Sequence, residues 1–141
     1  MSELNNIALE ILGNGKGILA ADESTATMTK RLESVNVQSN AENRLRFRET
    51  LFSSHGMSEC IGGVILYDET IKQITSKKNK IPELISSMGS HPGIKVDTGA
   101  KVLAGSSNEK ITEGLDGLRE RLKEYYKLGA KFTKWRGVYT I

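Results

Sequence analysis

Hydrophobic residues change their spacing along the first part of the chain. Over residues 4 to 12 they recur every three or four positions, which predicts an amphipathic helix that ends at Gly13 and Gly15. Residues 17 to 21 then form a short, continuous apolar run with glycine before it and polar residues after it. This run predicts a strand that is buried on both faces.

The alternation of helical and strand-like patterns continues. Ser24 or Thr25 can cap a helix that runs through Leu32, and residues 39 to 42 have the capping-box spacing for a second helix that ends near Ser53. The elements predicted after these are a strand at 61–66, helices near 69–75 and 82–88, a strand at 93–97, a long helix from Ile111 to Gly129 and a strand at 132–139.

Four strands that alternate with helices predict a parallel α/β sheet with right-handed crossovers, either a doubly wound sheet or a (β/α) barrel. The length of 141 residues favours the wound sheet, because a complete barrel needs roughly 250 residues. The first strand–helix turn, at residues 21 to 24, lacks the glycines that a dinucleotide-binding sheet carries there. Gly13, Gly15 and Gly17 lie before the strand or at its first residue instead, so they do not support the wound sheet.

Ionisable residues stand at or near the carboxyl end of every predicted strand. In a parallel barrel these ends converge on the face where catalytic groups lie, so the charges favour a barrel. Side chains two apart share a face of a strand, and the Cα atoms of Lys134 and Arg136 would lie about 6.6 Å apart. The residues concerned are Asp22, Asp68, Glu69, Lys95, Asp97, Lys134 and Arg136.

Such a cluster of charges has a chemical use. A lysine beside another cation and a carboxylate can transfer protons or form an imine, and the remaining cations suit phosphate groups. Alternatively, Asp22, Lys95 and Lys134 form an ion network that only stabilises the end of the sheet. Glu69 could serve only to open a helix, and Trp135 is expected to pack between the sheet and its helices.

The composition narrows the class of protein. With 38% hydrophobic and 26% charged residues, the chain is expected to be a soluble domain with one core. Its 20 basic and 17 acidic residues form a mixed surface that does not indicate nucleic acid, and the basic loop at 76–80 is interpreted as solvated. Cys60 is the single cysteine, so no internal disulfide is expected. The sequence has no apparent membrane span or signal peptide, so a cytoplasmic location is expected.

Five segments follow one another in a recognisable order: GKGILAADEST, IGGVILYDETIKQ, HPGIKVDTGAKVLAGSSNE, GLDGLRERLKEYYKLGAKF and KWRGVYTI. Together they resemble class I fructose-bisphosphate aldolase over residues 16 to 141. The resemblance implies a (β/α)8 TIM barrel, of which residues 1–141 would be the N-terminal half, with the first four strand–helix units and a truncation after the fourth strand. It also implies a homo-oligomer for the full-length protein.

The family's reaction is the reversible cleavage of fructose 1,6-bisphosphate to dihydroxyacetone phosphate and glyceraldehyde 3-phosphate. It proceeds through a lysine imine and uses no metal or other cofactor, so the implied partner is a phosphorylated sugar. By resemblance, Asp22 orients lysines and meets substrate hydroxyls, and Lys134 assists imine formation and stabilises charge during carbon–carbon cleavage. The substrate-binding residues implied are Lys95 and Arg136 near phosphate, Arg31 at the other phosphate, and Ser24 and Thr27 as hydroxyls beside it.

Two departures from the family limit this interpretation. Thr98 stands where the family commonly has lysine, and the imine-forming lysine and the acid–base carboxylates of later strands are absent from this sequence. The isolated chain is therefore expected to be inactive. An alternative is a non-catalytic half-barrel that binds anions and buries its open edges against a second half or against itself. A third hypothesis, a nucleic-acid binder, predicts steeply salt-dependent affinity.

Overall fold

The computed structural model of the protein describes residues 2–139 and residue 141. In this part of the chain the strands are β1 (Gly17–Ala21), β2 (Ile61–Leu66), β3 (His91–Lys95), β4 (Gly99–Val102), β5 (Lys110–Glu113) and β6 (Phe132–Lys134). The helices are α1 (Glu3–Leu12), α2 (Thr25–Glu33), α3 (Ala41–Phe52), α4 (Met57–Cys60), α5 (Asp68–Ile71), α6 (Ile81–Ser87) and α7 (Leu118–Lys127), with a 3₁₀ turn at Gly13–Gly15.

Four strands form one parallel sheet in the order β1-β2-β3-β6. Ala21 pairs with Leu66, Leu66 with Ile94, and Lys95 with Lys134, so all four strands end at the same edge of the sheet. The predicted parallel α/β sheet is therefore confirmed. The other two strands, β4 and β5, form a separate antiparallel hairpin.

The core lies where the central strands meet the helices. Val64, Leu66 and Ile94 are fully buried, and so are Phe52 of α3 and Ile85 of α6. A continuous apolar run suits β2 because it has a strand on each side and is covered on both faces. The strand predicted at 61–66 is thus confirmed.

The first strand is less buried than predicted. Ile18 is 45% exposed, and β1 alternates between partly buried and exposed residues until the buried Ala21. In the described chain β1 lies at an edge of the sheet and pairs only with β2. The prediction of burial on both faces was wrong because an apolar run does not distinguish an edge strand from a central one.

Helix α1 packs closely against the start of β2. A Cβ atom on Gly62 would lie only 1.9 Å from the carbonyl oxygen of Ile11, so a glycine is required at this crossing. Glu10 Oε2 and His91 Nε2 lie 2.8 Å apart and connect α1 to β3 as well.

No helix in the described residues is long and apolar enough to cross a membrane.

The long helix predicted from Ile111 to Gly129 was wrong. Residues up to Glu113 belong to the β4–β5 hairpin, and α7 begins only at Leu118. Gly114 and Gly117 have φ angles of 131° and 64°, which a right-handed helix does not contain. The prediction failed because the apolar residues keep a helical spacing on both sides of Gly114 and Gly117, although the backbone changes from the hairpin to the helix there.

Other predicted boundaries moved by a few residues. The strand predicted at 93–97 corresponds to β3 and ends at Lys95, and the strand predicted at 132–139 corresponds to β6 and ends at Lys134. Asp97 and Arg136 therefore lie in the segments that follow these strands. Trp135, predicted to pack between sheet and helices, is 39% exposed because the strand has already ended.

Two helix predictions also changed. The cap of α3 is Asn40, whose side chain accepts a 2.8 Å hydrogen bond from the backbone N–H of Asn43, so the capping position lies one residue later than predicted. The helix predicted near 69–75 ends at Ile71, because Ile74 pairs with Lys80 in a short β-bridge.

Candidate active site

An open cleft of about 810 Å³ lies at the carboxyl ends of the four parallel strands. This is the edge where the sequence predicted the charges to converge, because parallel strands present these ends together. All seven residues predicted for the site line the cleft: Asp22, Ser24, Thr27, Arg31, Lys95, Lys134 and Arg136.

The cleft contains an ion pair between the two edge strands. Nζ of Lys134 donates to Oδ2 of Asp22 at 2.5 Å, and the two side chains are 32% and 11% exposed. In a flat sheet, three strand spacings would separate β1 and β6 by about 14 Å. The ends of these strands must therefore converge on one side of the sheet, as they do when a sheet begins to close into a barrel.

Lys95 lies deeper in the cleft, against the loop that follows its own strand. Its Nζ lies 3.1 Å from Oδ1 and 3.1 Å from the carbonyl oxygen of Asp97. Asp97 Oδ1 also accepts from the backbone N–H of Gly99 at 3.1 Å, and the Asp97 side chain is fully buried. Lys95 and Asp97 are thus a second ion pair, separate from that of Asp22 and Lys134.

The hydroxyls of the site stand at the start of α2. Ser24 Oγ caps the helix by accepting from the N–H of Thr27, and it lies 3.1 Å from the Thr27 hydroxyl. Arg31, four residues after Thr27 on the same helix, forms an ion pair with Glu23. Arg31 is 57% exposed, whereas Glu23 is only 12% exposed. Glu23 was not predicted, although its place beside Asp22 and before a helix cap indicated the cleft.

Helix α7 contributes a tyrosine and an arginine that sequence reasoning also missed. The hydroxyl of Tyr125 donates to Oδ1 of Asp68 at 2.9 Å, and both residues line the cleft. Burial raises the pKa of Tyr125, and the hydrogen bond to Asp68 raises it further. Arg121 donates to the carbonyl oxygens of Val96 and Gly114 at 2.9 and 2.5 Å, so it fixes the loop that carries Asp97.

Glu69, which was expected among the converging charges, points away from the cleft lining. It accepts from Arg44 Nε at 2.9 Å and Nη2 at 2.5 Å, and Arg48 Nη1 lies 3.5 Å from it. The hydrogen bond from Arg44 lowers the pKa of Glu69. Glu69 is thus part of a structural network between α3 and α5.

Arg48 connects that network to the cleft. Its side chain is fully buried, and its Nη2 donates to the carbonyl oxygen of Glu23 at 2.7 Å. Burial lowers the pKa of Arg48, although the nearby Glu23 and Glu69 oppose this effect. Arg48 therefore holds the turn that carries Asp22 and Ser24.

The cleft mixes both signs of charge. In the described part of the chain Arg136 is exposed and forms no ion pair, so its guanidinium is open to an anion. No group of three His, Cys, Asp or Glu residues that could hold a metal ion occurs within residues 2–139 and 141. Acid and base groups with cations around them are suited to a phosphorylated, hydroxyl-bearing ligand.

Comparisons with known proteins agree on one family. Residues 3–141 match the sequence model of fructose-bisphosphate aldolase class-I. A probable fructose-bisphosphate aldolase class 1 of Xylella fastidiosa is 49% identical over 100% of this chain and 42% of its own length. Fructose-bisphosphate aldolase 6, cytosolic, of Arabidopsis thaliana is 51% identical over 90% of this chain and 36% of its own length.

A solved structure gives the same result in three dimensions. Fructose-bisphosphate aldolase of Plasmodium falciparum superposes with a TM-score of 0.91 and 44% identity, covering 94% of this chain and 38% of that one. The chain thus spans about two fifths of the length of the relatives it matches. The chain belongs to the class I fructose-bisphosphate aldolase family.

Proposed function

We propose that the four parallel strands are the first four strand–helix units of a (β/α)8 barrel, and that residues 1–141 form the N-terminal half of that domain. The longer protein would cleave fructose 1,6-bisphosphate reversibly to dihydroxyacetone phosphate and glyceraldehyde 3-phosphate, as a glycolytic enzyme. The names of the relatives support this reaction, and the cytosolic relative supports a cytoplasmic location. The single observation that best supports the proposal is the ion pair between Asp22 and Lys134 at the carboxyl ends of the parallel strands.

The proposed roles follow from charge and position. Asp22 would hold Lys134 in place and accept hydrogen bonds from substrate hydroxyls, while Lys134 would stabilise the negative charge that develops as the carbon–carbon bond breaks. A bisphosphate needs cations at both of its ends. Arg31, with the neighbouring hydroxyls, would bind one phosphate, and Lys95 and Arg136 would bind the other.

Binding of the substrate by this chain tests these roles. Fructose 1,6-bisphosphate is titrated into the wild type, Lys134→Met, Arg136→Gln and Lys101→Met, with calorimetry as the readout. Lys101→Met is the matched control, because Lys101 is an exposed cation on the β4–β5 hairpin outside the cleft lining. The two cleft variants should weaken binding about tenfold and the control should not. Equal affinities in all four proteins would contradict the assigned roles.

Imine formation is proposed to need a lysine outside these 141 residues. The isolated chain should therefore give no covalent adduct when it is incubated with dihydroxyacetone phosphate and sodium borohydride. Peptide mass spectrometry provides the readout. A trapped adduct on any lysine of the chain would contradict the proposed division of the active site.

The alternative function is a non-catalytic half-barrel that binds anions and assembles through its edges. It is favoured by the two edge strands, β1 and β6, each of which pairs with a single strand in the described residues. Ile18 on β1 is exposed in this chain, which is consistent with an edge that a second chain would cover in the assembly. Sedimentation of the chain distinguishes the two cases, since a discrete and stable dimer supports the assembly module, whereas non-specific aggregation supports an interrupted enzyme.

A further inference from the structure

The contact between Glu23 and Arg31 has no part in the roles proposed above. Arg31 lies in the cleft with 57% of its side chain exposed, so an anion in solution can reach it. Nη1 of its guanidinium already pairs with Oε1 of the Glu23 carboxylate in this structure. An anion that binds Arg31 must therefore displace this carboxylate or bind beside a negative charge.

Glu23 is held in position by its surroundings. Its side chain is 12% exposed, and its carbonyl oxygen accepts a 2.7 Å hydrogen bond from the fully buried Arg48. Its second carboxylate oxygen, Oε2, is buried and has no hydrogen-bond partner among the described residues. The carboxylate is thus fixed beside Arg31 by the turn itself, and only one of its oxygens is satisfied by the pair.

We propose that Glu23 is an affinity-determining residue, an internal carboxylate that competes with phosphate for Arg31. This inference rests on the proposed role of Arg31 in binding one phosphate of the substrate. With Glu23 in place the Arg31 site is close to neutral, so phosphate binds weakly and leaves readily. Without this carboxylate the same guanidinium presents its full charge to the ligand.

The test is a titration of the 141-residue chain with inorganic phosphate at constant ionic strength. Backbone amide signals of Ser24 and Thr27, beside the pair, are followed by NMR. Glu23→Gln should bind phosphate about five- to tenfold more tightly than the wild type, because a competing charge is removed while the shape is kept. Glu33→Gln is the matched control, since it removes the same charge from the exposed C-terminal end of α2, the helix that carries Arg31, and should change the affinity less than twofold.

A second pair of variants separates competition from a general charge effect. In an Arg31→Gln background, Glu23→Gln should no longer increase phosphate affinity, because the residue for which Glu23 competes has gone. The proposal is overturned if Glu23→Gln binds phosphate like the wild type, if its gain persists in the Arg31→Gln background, or if none of the proteins binds phosphate near Ser24. Loss of substrate binding in Lys134→Met would be unaffected by these outcomes, so the proposed function is judged separately.

Discussion

Replacing Arg48 by methionine tests how the buried network supports the cleft. Methionine fills a similar volume without charge, so the carbonyl oxygen of Glu23 loses the donor that lies 2.7 Å away. A buried carbonyl without a partner costs about 1–3 kcal/mol. Removing one partner of a buried ion pair can cost about 3–5 kcal/mol, but Glu69 keeps its two hydrogen bonds to Arg44. We therefore expect Arg48→Met to lower the free energy of unfolding by about 2 kcal/mol.

Urea unfolding followed by circular dichroism measures this change. A loss of about 2 kcal/mol corresponds to a midpoint lower by about 1 M urea. Arg46→Met is the matched control, because Arg46 lies on the same helix with an exposed side chain and should stay within about 0.5 kcal/mol of the wild type. If Arg48→Met is as stable as Arg46→Met, the hydrogen bond to Glu23 does not support the turn and the reasoning fails.

Two further predictions concern packing and acid stability. Gly62→Ala should destabilise the fold by about 1–3 kcal/mol in the same urea assay, because its Cβ would meet the Ile11 carbonyl, whereas Gly13→Ala, which has open space and an ordinary φ, should be tolerated. Glu69 has a lowered pKa, so its stabilisation is complete above its ordinary pKa of 4.5 and is lost as the pH falls through the lower folded value. When the pH is lowered from neutral to below 4.5, the free energy of unfolding of Glu69→Gln should therefore fall less than that of the wild type. An equal fall in both proteins would contradict the assigned pairing of Glu69 with Arg44.

The sequence predicted which charged residues lie together better than it predicted the bounds of the elements around them. Charged residues after an apolar run lie at the carboxyl end of a strand, and parallel strands bring these ends together whatever their exact length. For this reason Asp22, Lys95, Lys134 and Arg136 line one cleft, even though two of the strands end earlier than predicted. The spacing of the charges alone did not identify the ligand. The family resemblance indicated a phosphorylated sugar.

The features that were missed depend on contacts far apart in the sequence. Arg48 lies among the alternating charges of α3, where nothing in the local pattern separates a buried guanidinium from exposed ones. Edge position made β1 more exposed than its apolar run suggested. The hairpin before α7 was the avoidable error, because Gly114 and Gly117 interrupted the helical pattern and were available as a signal.

The central claim, that this chain supplies one half of an aldolase site, is tested most directly in a chimera. The matching part of the Xylella fastidiosa relative is replaced by these 141 residues, and cleavage of fructose 1,6-bisphosphate is measured with and without Lys134→Met. We predict an active chimera whose kcat falls at least about 100-fold on substitution of Lys134. A folded chimera without activity, or one whose activity survives Lys134→Met, would contradict the account.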